Sequence, residues 1–172
     1  FTYCGPYFVP HFKQKKLVML KYNKIKSVHI EPTQKCQAAC LQCDRNMNGG
    51  IDNPYLTGSE LKSQDYNTIF SEKFIEQLNH MYMCGNLGDP CVSPDSIYGF
   101  EYFRFTNLNM HLSMNTNGGA QEIEWWKRLG LILGKNGHVT FSFDGLEDTN
   151  HLYRQNVNWK RCMENSSAFI SS

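Results

Sequence analysis

Lys26-Ser27-Val28-His29-Ile30-Glu31-Pro32-Thr33-Gln34-Lys35-Cys36-Gln37-Ala38-Ala39-Cys40-Leu41-Gln42-Cys43 reads as a short strand running directly into a loop that holds three cysteines. Val28 and Ile30 alternate with Ser27, His29 and Glu31, the period of two expected of a half-buried strand. The same pattern recurs downstream, and it predicts strands over 26–31, 80–84, 110–115 and 138–143. One parity carries Val28, Ile30, Met81, Met83, Leu112, Met114, Val139, Phe141 and Phe143. The other carries Ser27, His29, Glu31, Tyr82, Cys84, His111, Ser113, Asn115, Thr140, Ser142 and Asp144. Parallel strands covered by helices on both faces usually read as continuous apolar runs, and these do not. One face therefore packs on helices while the other lines a polar space, as in a sheet curved into a wide or incomplete barrel.

Between the strands lie loops rich in Gly, Asn or Asp and stretches with helical spacing. Ser71 is placed to cap a helix carrying Phe74, Ile75 and Leu78, and Ser93-Pro94 to open one through Phe103. Gln121 to Leu133 carries Trp125, Trp126, Leu129 and Leu133 on one stripe; Asn158 is placed to cap a last helix burying Trp159, Cys162, Met163 and Phe169. Alternating β and α elements argue for a parallel sheet with right-handed crossovers. The expected fold class is α/β, a partial (β/α) barrel with a curved parallel sheet and about four β/α units. Residues 1–24, rich in aromatics, proline and lysine, read as an irregular arm with a short strand at Leu17 to Leu20, and 25–172 as the barrel domain.

Composition narrows the function. With 172 residues, the chain can bury a sizeable core. Its 17 Lys and Arg against 16 Asp and Glu give a net charge of +1, so no long-range field favours nucleic acid or an acidic membrane; the Lys13 to Lys16 run is a local bias only. No apolar run is long enough to span a bilayer and no signal-peptide pattern is present, which leads to the expectation of a soluble cytoplasmic protein without a membrane partner.

Seven cysteines, three of them within eight residues, suit metal binding in a reducing compartment better than a disulfide framework. Cys36, Cys40 and Cys43, spaced by three and two residues, can converge on one centre from a single loop, and small Ala38 and Ala39 let the backbone fold around an inorganic core. Spacing alone leaves two readings open. One is an iron-sulfur cluster with an open position; the other is structural zinc completed by Cys84, Cys91 or a histidine. Position favours the first, because ligands of α/β sheets sit at the carboxyl ends of strands. Cys4, Cys84, Cys91 and Cys162 match no ligand spacing and read as buried thiols.

These residues resemble the radical S-adenosylmethionine (radical SAM) enzymes, whose signature is a Cys-x3-Cys-x2-Cys loop after the first strand of a partial (β/α)6 barrel. The preceding Glu31-Pro32-Thr33 is similar to the members related to SPASM- and twitch-containing peptide-modifying enzymes. Further segments follow in the family's order. Met83-Cys84-Gly85-Asn86-Leu87-Gly88-Asp89-Pro90 resembles the Gly-Gly-Glu-Pro motif that receives the cofactor's amino group. Asn115-Thr116-Asn117-Gly118 resembles the Thr-Asn-Gly end of strand three. Ser142-Phe143-Asp144-Gly145 with His151 and Arg154 resembles the segment whose polar groups contact ribose and carboxylate.

The resemblance implies a [4Fe-4S] cluster on Cys36, Cys40 and Cys43, whose fourth iron chelates S-adenosylmethionine. It implies cofactor contacts at Gly85, Asn86, Gly88, Asp89, Asn115, Asn117, Ser142, Asp144 and Arg154, with His151 a structural partner rather than a catalyst. The activity implied is reductive cleavage to a 5′-deoxyadenosyl radical, driven by an external electron donor, with hydrogen abstraction from an unidentified substrate near His29, Tyr82, His111 and Thr140. The sequence departs from the family at Gln42, where an aromatic residue is usual, and at Asp89, where Glu is usual. It also accounts for four β/α units against the family's six, so a homo-oligomer, a second chain or the rest of a longer protein is expected to complete the barrel. The alternative class is a binding module, stabilised by zinc or a cluster, or a half-barrel fragment that binds S-adenosylmethionine without turnover.

Overall fold

A computed structural model describes residues 20–47 and 51–172. The part of the predicted arm before residue 20, with Cys4, the lysine run and most of the strand expected at Leu17 to Leu20, lies outside the described residues.

Four strands, β1 (Ser27–Ile30), β4 (His80–Met83), β5 (His111–Thr116) and β6 (Gly137–Phe141), form one parallel sheet. They pair in the order β1-β4-β5-β6, which is also their order along the chain. Successive right-handed crossovers in that order carry every intervening helix to the same face, so the sheet is singly wound. The helices are α1 (Ser63–Ile69), α2 (Glu72–Glu76), α3 (Ser96–Thr106), α4 (Ile123–Leu133), α5 (Asn150–Tyr153) and α6 (Trp159–Ile170). They pack as a layer: α1 and α2 on α3, α3 on α4, α4 on α6. Among the described residues, no helix is long and apolar enough to cross a membrane.

The register places Val28, Met81, Leu112 and Gly137 in one row, and Ile30, Met83, Met114 and Val139 in the next. Met81, Met83, Leu112 and Met114 are wholly buried against Tyr66, Phe100, Phe103, Trp126 and Leu129. Burial of each such side chain contributes roughly 1.5–3 kcal/mol. On the opposite face His29, Tyr82, Ser113 and His138 share one row, and Ser27, His80 and His111 another. The predicted two-faced sheet is therefore present; closure into a barrel is not part of the described structure.

Some boundaries differ from expectation. The helix expected to open at Ser93-Pro94 begins at Ser96, because the Asp89 side chain captures the Cys91 amide and winds Pro90–Val92 into a 3-10 turn. α4 begins at Ile123 because Gln121 sits at φ 65°, a left-handed conformation that cannot join a right-handed helix. Ser71 and Asn158 do cap α2 and α6, accepting from the amides of Phe74 and Arg161. In α6 the fully buried residues are Cys162, Asn165 and Ala168, while Trp159, Met163 and Phe169 are half-buried. The fourth strand ends at Phe141 rather than 143, although the Ser142 amide still donates to Thr116 O. A small antiparallel hairpin, β2 (Asn46–Met47) with β3 (Ile51–Asp52), follows the cysteine loop and was not expected; nor were α1 and α5.

Candidate cofactor site

Loops at the carboxyl ends of all four parallel strands meet over one cavity of about 230 Å³. Cys36, Cys40 and Cys43 line it, with Cys84, Gly85, Asn86, Leu87, Gly88 and Asp89 after β4, Asn115, Thr116 and Asn117 ending β5, and Ser142, Tyr153 and Arg154 beyond β6. Every residue singled out as a cofactor contact except Asp144 faces this cavity, and Asp144 touches it through Arg154, to which it is ion-paired.

The cysteine loop is pinned from outside. Arg45 donates from Nη1 to Gln34 O (2.6 Å) and from Nη2 to Asp52 Oδ1 (3.0 Å), which ties the loop to the β2–β3 hairpin. The Ala39 amide donates to Gln155 O (2.9 Å), and Asn46 Nδ2 to Ala38 O (3.4 Å). Two glycines allow the β4 loop to lie against it. A Cβ on Gly88 would stand 2.0 Å from Thr33 O, and one on Gly85 2.2 Å from Gly88 O. Here the backbones touch, so no other residue fits without displacement.

Asp89 joins the second and third loops. Its side chain is buried and accepts from Thr116 Oγ1 (2.6 Å), the Asn117 amide (2.7 Å) and the Cys91 amide (3.0 Å). A carboxylate has about four lone-pair positions, so three are engaged by protein and one is left. Asn117 is itself locked: Gln37 Nε2 donates to its Oδ1 (2.6 Å), and its Nδ2 points at Cys36 Sγ (3.5 Å). Arg154 holds the far wall, paired with Asp144, its Nη1 3.6 Å from Cys40 Sγ and its guanidinium over the Tyr153 ring. Asn86 instead leans outward, donating its amide and Nδ2 to Glu31. His151 is exposed and makes no hydrogen bond among the described residues, so the structural role expected of it finds no contact here.

Burial, with the Asp89 carboxylate adding to it, pushes the Cys36 thiol up to about 12. Cys40 is also raised by burial, against the pull of Arg154. A metal centre deprotonates a coordinating thiol outright, and its charge answers the desolvation that the bare thiols feel. Donors aimed at the sulfurs, Asn117 at Cys36 and Arg154 at Cys40, are the contacts that set a cluster's potential. Among the described residues no three of His, Cys, Asp or Glu converge closely enough to hold a single ion. Cys91 and Cys162 are fully buried, as expected; Cys84 is half-buried and faces the cavity.

In the scaffold around these residues Cys162 is buried on the last helix as expected and Thr116 lies in the segment read as Thr-Asn-Gly, whereas Gln37 and Asn165 carry no motif of their own. Asn165 donates to Gly118 O (2.8 Å) and Ala120 O (3.1 Å), and Cys162 Sγ to Asn117 O (3.2 Å), so α6 props the β5 loop from behind. The only sequence signal was polar residues on the inner stripe of an otherwise amphipathic helix.

No protein-family model and no curated protein matches the chain. Solved structures do. Native anSMEcpe with bound AdoMet superposes with TM-score 0.65 at 17% identity, over 86% of this chain and 41% of that one. The hexahistidine-tagged form with bound AdoMet gives 0.64 at 17% identity, over 85% and 40%. The form with AdoMet and the Cp18Cys peptide gives 0.60 at 18%, over 84% and 40%. This chain thus spans about two fifths of the length of those chains. At such identity the likeness speaks for architecture alone: this chain shares its α/β fold with the matched two fifths of anSMEcpe.

Proposed function

We propose that the chain is the cofactor-binding part of a radical SAM enzyme, residues 25–172 forming its partial-barrel domain. The observation that carries this reading is the meeting of three cysteines, a glycine loop and a carboxylate-held arginine over one cavity at the carboxyl ends of a singly wound parallel sheet. Cys36, Cys40 and Cys43 would hold a [4Fe-4S] cluster. Reduced by an external electron donor, such a cluster supplies the electron that splits S-adenosylmethionine into methionine and a 5′-deoxyadenosyl radical.

The protein's own groups bind and orient. The free lone-pair position of Asp89 and the bare backbone of Gly85 to Gly88 accept the cofactor's ammonium group. Arg154, held in place by its ion pair with Asp144, offers its planar fork to the carboxylate. Ser142 and Asn115 stand at the ribose side, and Asn117 holds its amide toward Cys36 Sγ. Asn86, engaged by Glu31, contributes through its backbone.

Anaerobically reconstituted protein is expected to be brown and to form 5′-deoxyadenosine with a strong reductant, and Cys40→Ala is expected to abolish both. Protein that binds S-adenosylmethionine yet forms no 5′-deoxyadenosine would support the second reading, a half-barrel without turnover. That reading rests on the sheet of four strands seen among the described residues.

A further inference from the structure

The polar face of the sheet, on which no described helix packs, carries a chain of imidazoles across two neighbouring rows. Each of the four parallel strands contributes one: His29, His80, His111 and His138. His111 Nε2 lies 2.9 Å from His138 Nδ1, and His80 Nε2 2.8 Å from Ser113 Oγ. The His80 and His138 rings each stand 5.1 Å from that of His111. Tyr82 stacks between His29 (4.5 Å) and His80 (5.3 Å), and His29 donates to Cys84 O (2.8 Å). The titratable groups presented here are His29 and Glu31 from β1 and its end, His80, Tyr82 and Cys84 from β4 and its end, His111 from β5 and His138 from β6. Of these imidazoles Glu31 reaches only His29, at 4.0 Å, its oxygens being engaged otherwise by Asn86.

The row shares a face with the cofactor cavity. Asn115 lines the cavity, and His111 lies four residues back along the same strand, about 13 Å away at roughly 3.3 Å per residue. Two neutral imidazoles sharing one hydrogen bond always show one outward donor and one outward acceptor. Adding one proton leaves the bridge in place and turns both outward nitrogens, His111 Nδ1 and His138 Nε2, into donors. No carboxylate among the described residues contacts His80, His111 or His138, so that positive charge lacks a counter-ion among them. Nor do the rings converge as ligands of one metal ion.

We propose that His80, His111 and His138 bind an anionic oxygen group of the substrate, a carboxylate or a tetrahedral oxyanion, taken up together with one proton. This rests on the reading above that substrate occupies the open face. His80 fits the same picture: burial first, then its two neighbouring imidazoles, push it below the ordinary imidazole value, and an anion would relieve that.

The test is an NMR titration of the imidazole nitrogens in the reconstituted protein, with acetate and, separately, sulfate as probes, from about pH 5.5 to about pH 8 to span the imidazole range. Anion is expected to raise the titration midpoint of the His111–His138 pair. The apparent affinity should fall about tenfold per pH unit above that midpoint, the mark of one proton taken up. His138→Gln and His111→Asn, each checked for an unchanged amide spectrum, should lose the response. A stronger response to acetate marks a carboxylate group, and one to sulfate a phosphate or sulfate group. An affinity independent of pH, or equal in the variants, overturns the proposal. Wild-type protein that forms 5′-deoxyadenosine but ignores both anions overturns it while leaving the enzymatic reading intact. Protein that takes up anion but forms no 5′-deoxyadenosine overturns the enzymatic reading instead.

Discussion

Asp89 shows why single residues here do double duty. It holds the β5 loop to the β4 loop through Thr116 Oγ1 and the Asn117 amide, and its own turn through the Cys91 amide, all in buried surroundings. Asp89→Asn turns an amide NH2 toward the Asn117 or the Cys91 amide, neither of which can accept, so a loss of about 2 kcal/mol is expected from chemical denaturation, in line with the cost of orphaning buried donors. Weaker S-adenosylmethionine binding should accompany it. At His80 the folded midpoint is depressed, so above about 6.5 both folded and unfolded states are neutral and the residue has no effect. Below that, the unfolded chain takes the proton more readily and stability is lost as pH falls. His80→Gln should flatten this part of the stability curve; an unchanged acid slope would contradict it. At this scale the cysteines, the glycine loop and Arg154 were legible, because their spacing is local. Gln37 and Tyr153 were not, since their roles come from contacts across the fold, such as Gln37 with Asn117, 80 positions apart.

Elements follow the same division. The four parallel strands announced themselves because their alternation reports one covered and one open face. Hairpin β2–β3 has only two residues in each strand, too few for a period. Helix α1 buries Tyr66 alone, so it shows no apolar stripe. That tyrosine is fully enclosed, with Gly99 leaving room for its ring, and its hydroxyl finds no partner among the described residues. Tyr66→Phe is therefore expected to stabilise the protein by about 1 kcal/mol, read as a higher thermal midpoint. Arg104 has the opposite character. From α3 it donates to the carbonyls of Ile132, Leu133 and Asn136 at the end of α4, and to Leu108 and Met110 ahead of β5. Arg104→Met keeps the stem but orphans those carbonyls, and a loss of about 3 kcal/mol is expected in denaturant titration.

In the whole molecule, strand order is the decisive property. A sheet whose spatial order matches its chain order must carry its helices on one side, so the other side is free to be polar. That is why His29, Tyr82, His111 and Thr140 could be placed on an open wall from alternation alone. What alternation does not encode is closure: among the described residues β6 pairs with β5 and the sheet stops at four strands. The central claim is that three thiolates leave one iron to bind the cofactor. Its most direct measurement is electron-nuclear double resonance on the reduced protein with S-adenosylmethionine carrying 15N in its amino group. Hyperfine coupling of that nitrogen to the cluster is expected; a cluster formed in full yet showing no coupling, with every iron held by side chains, would contradict it.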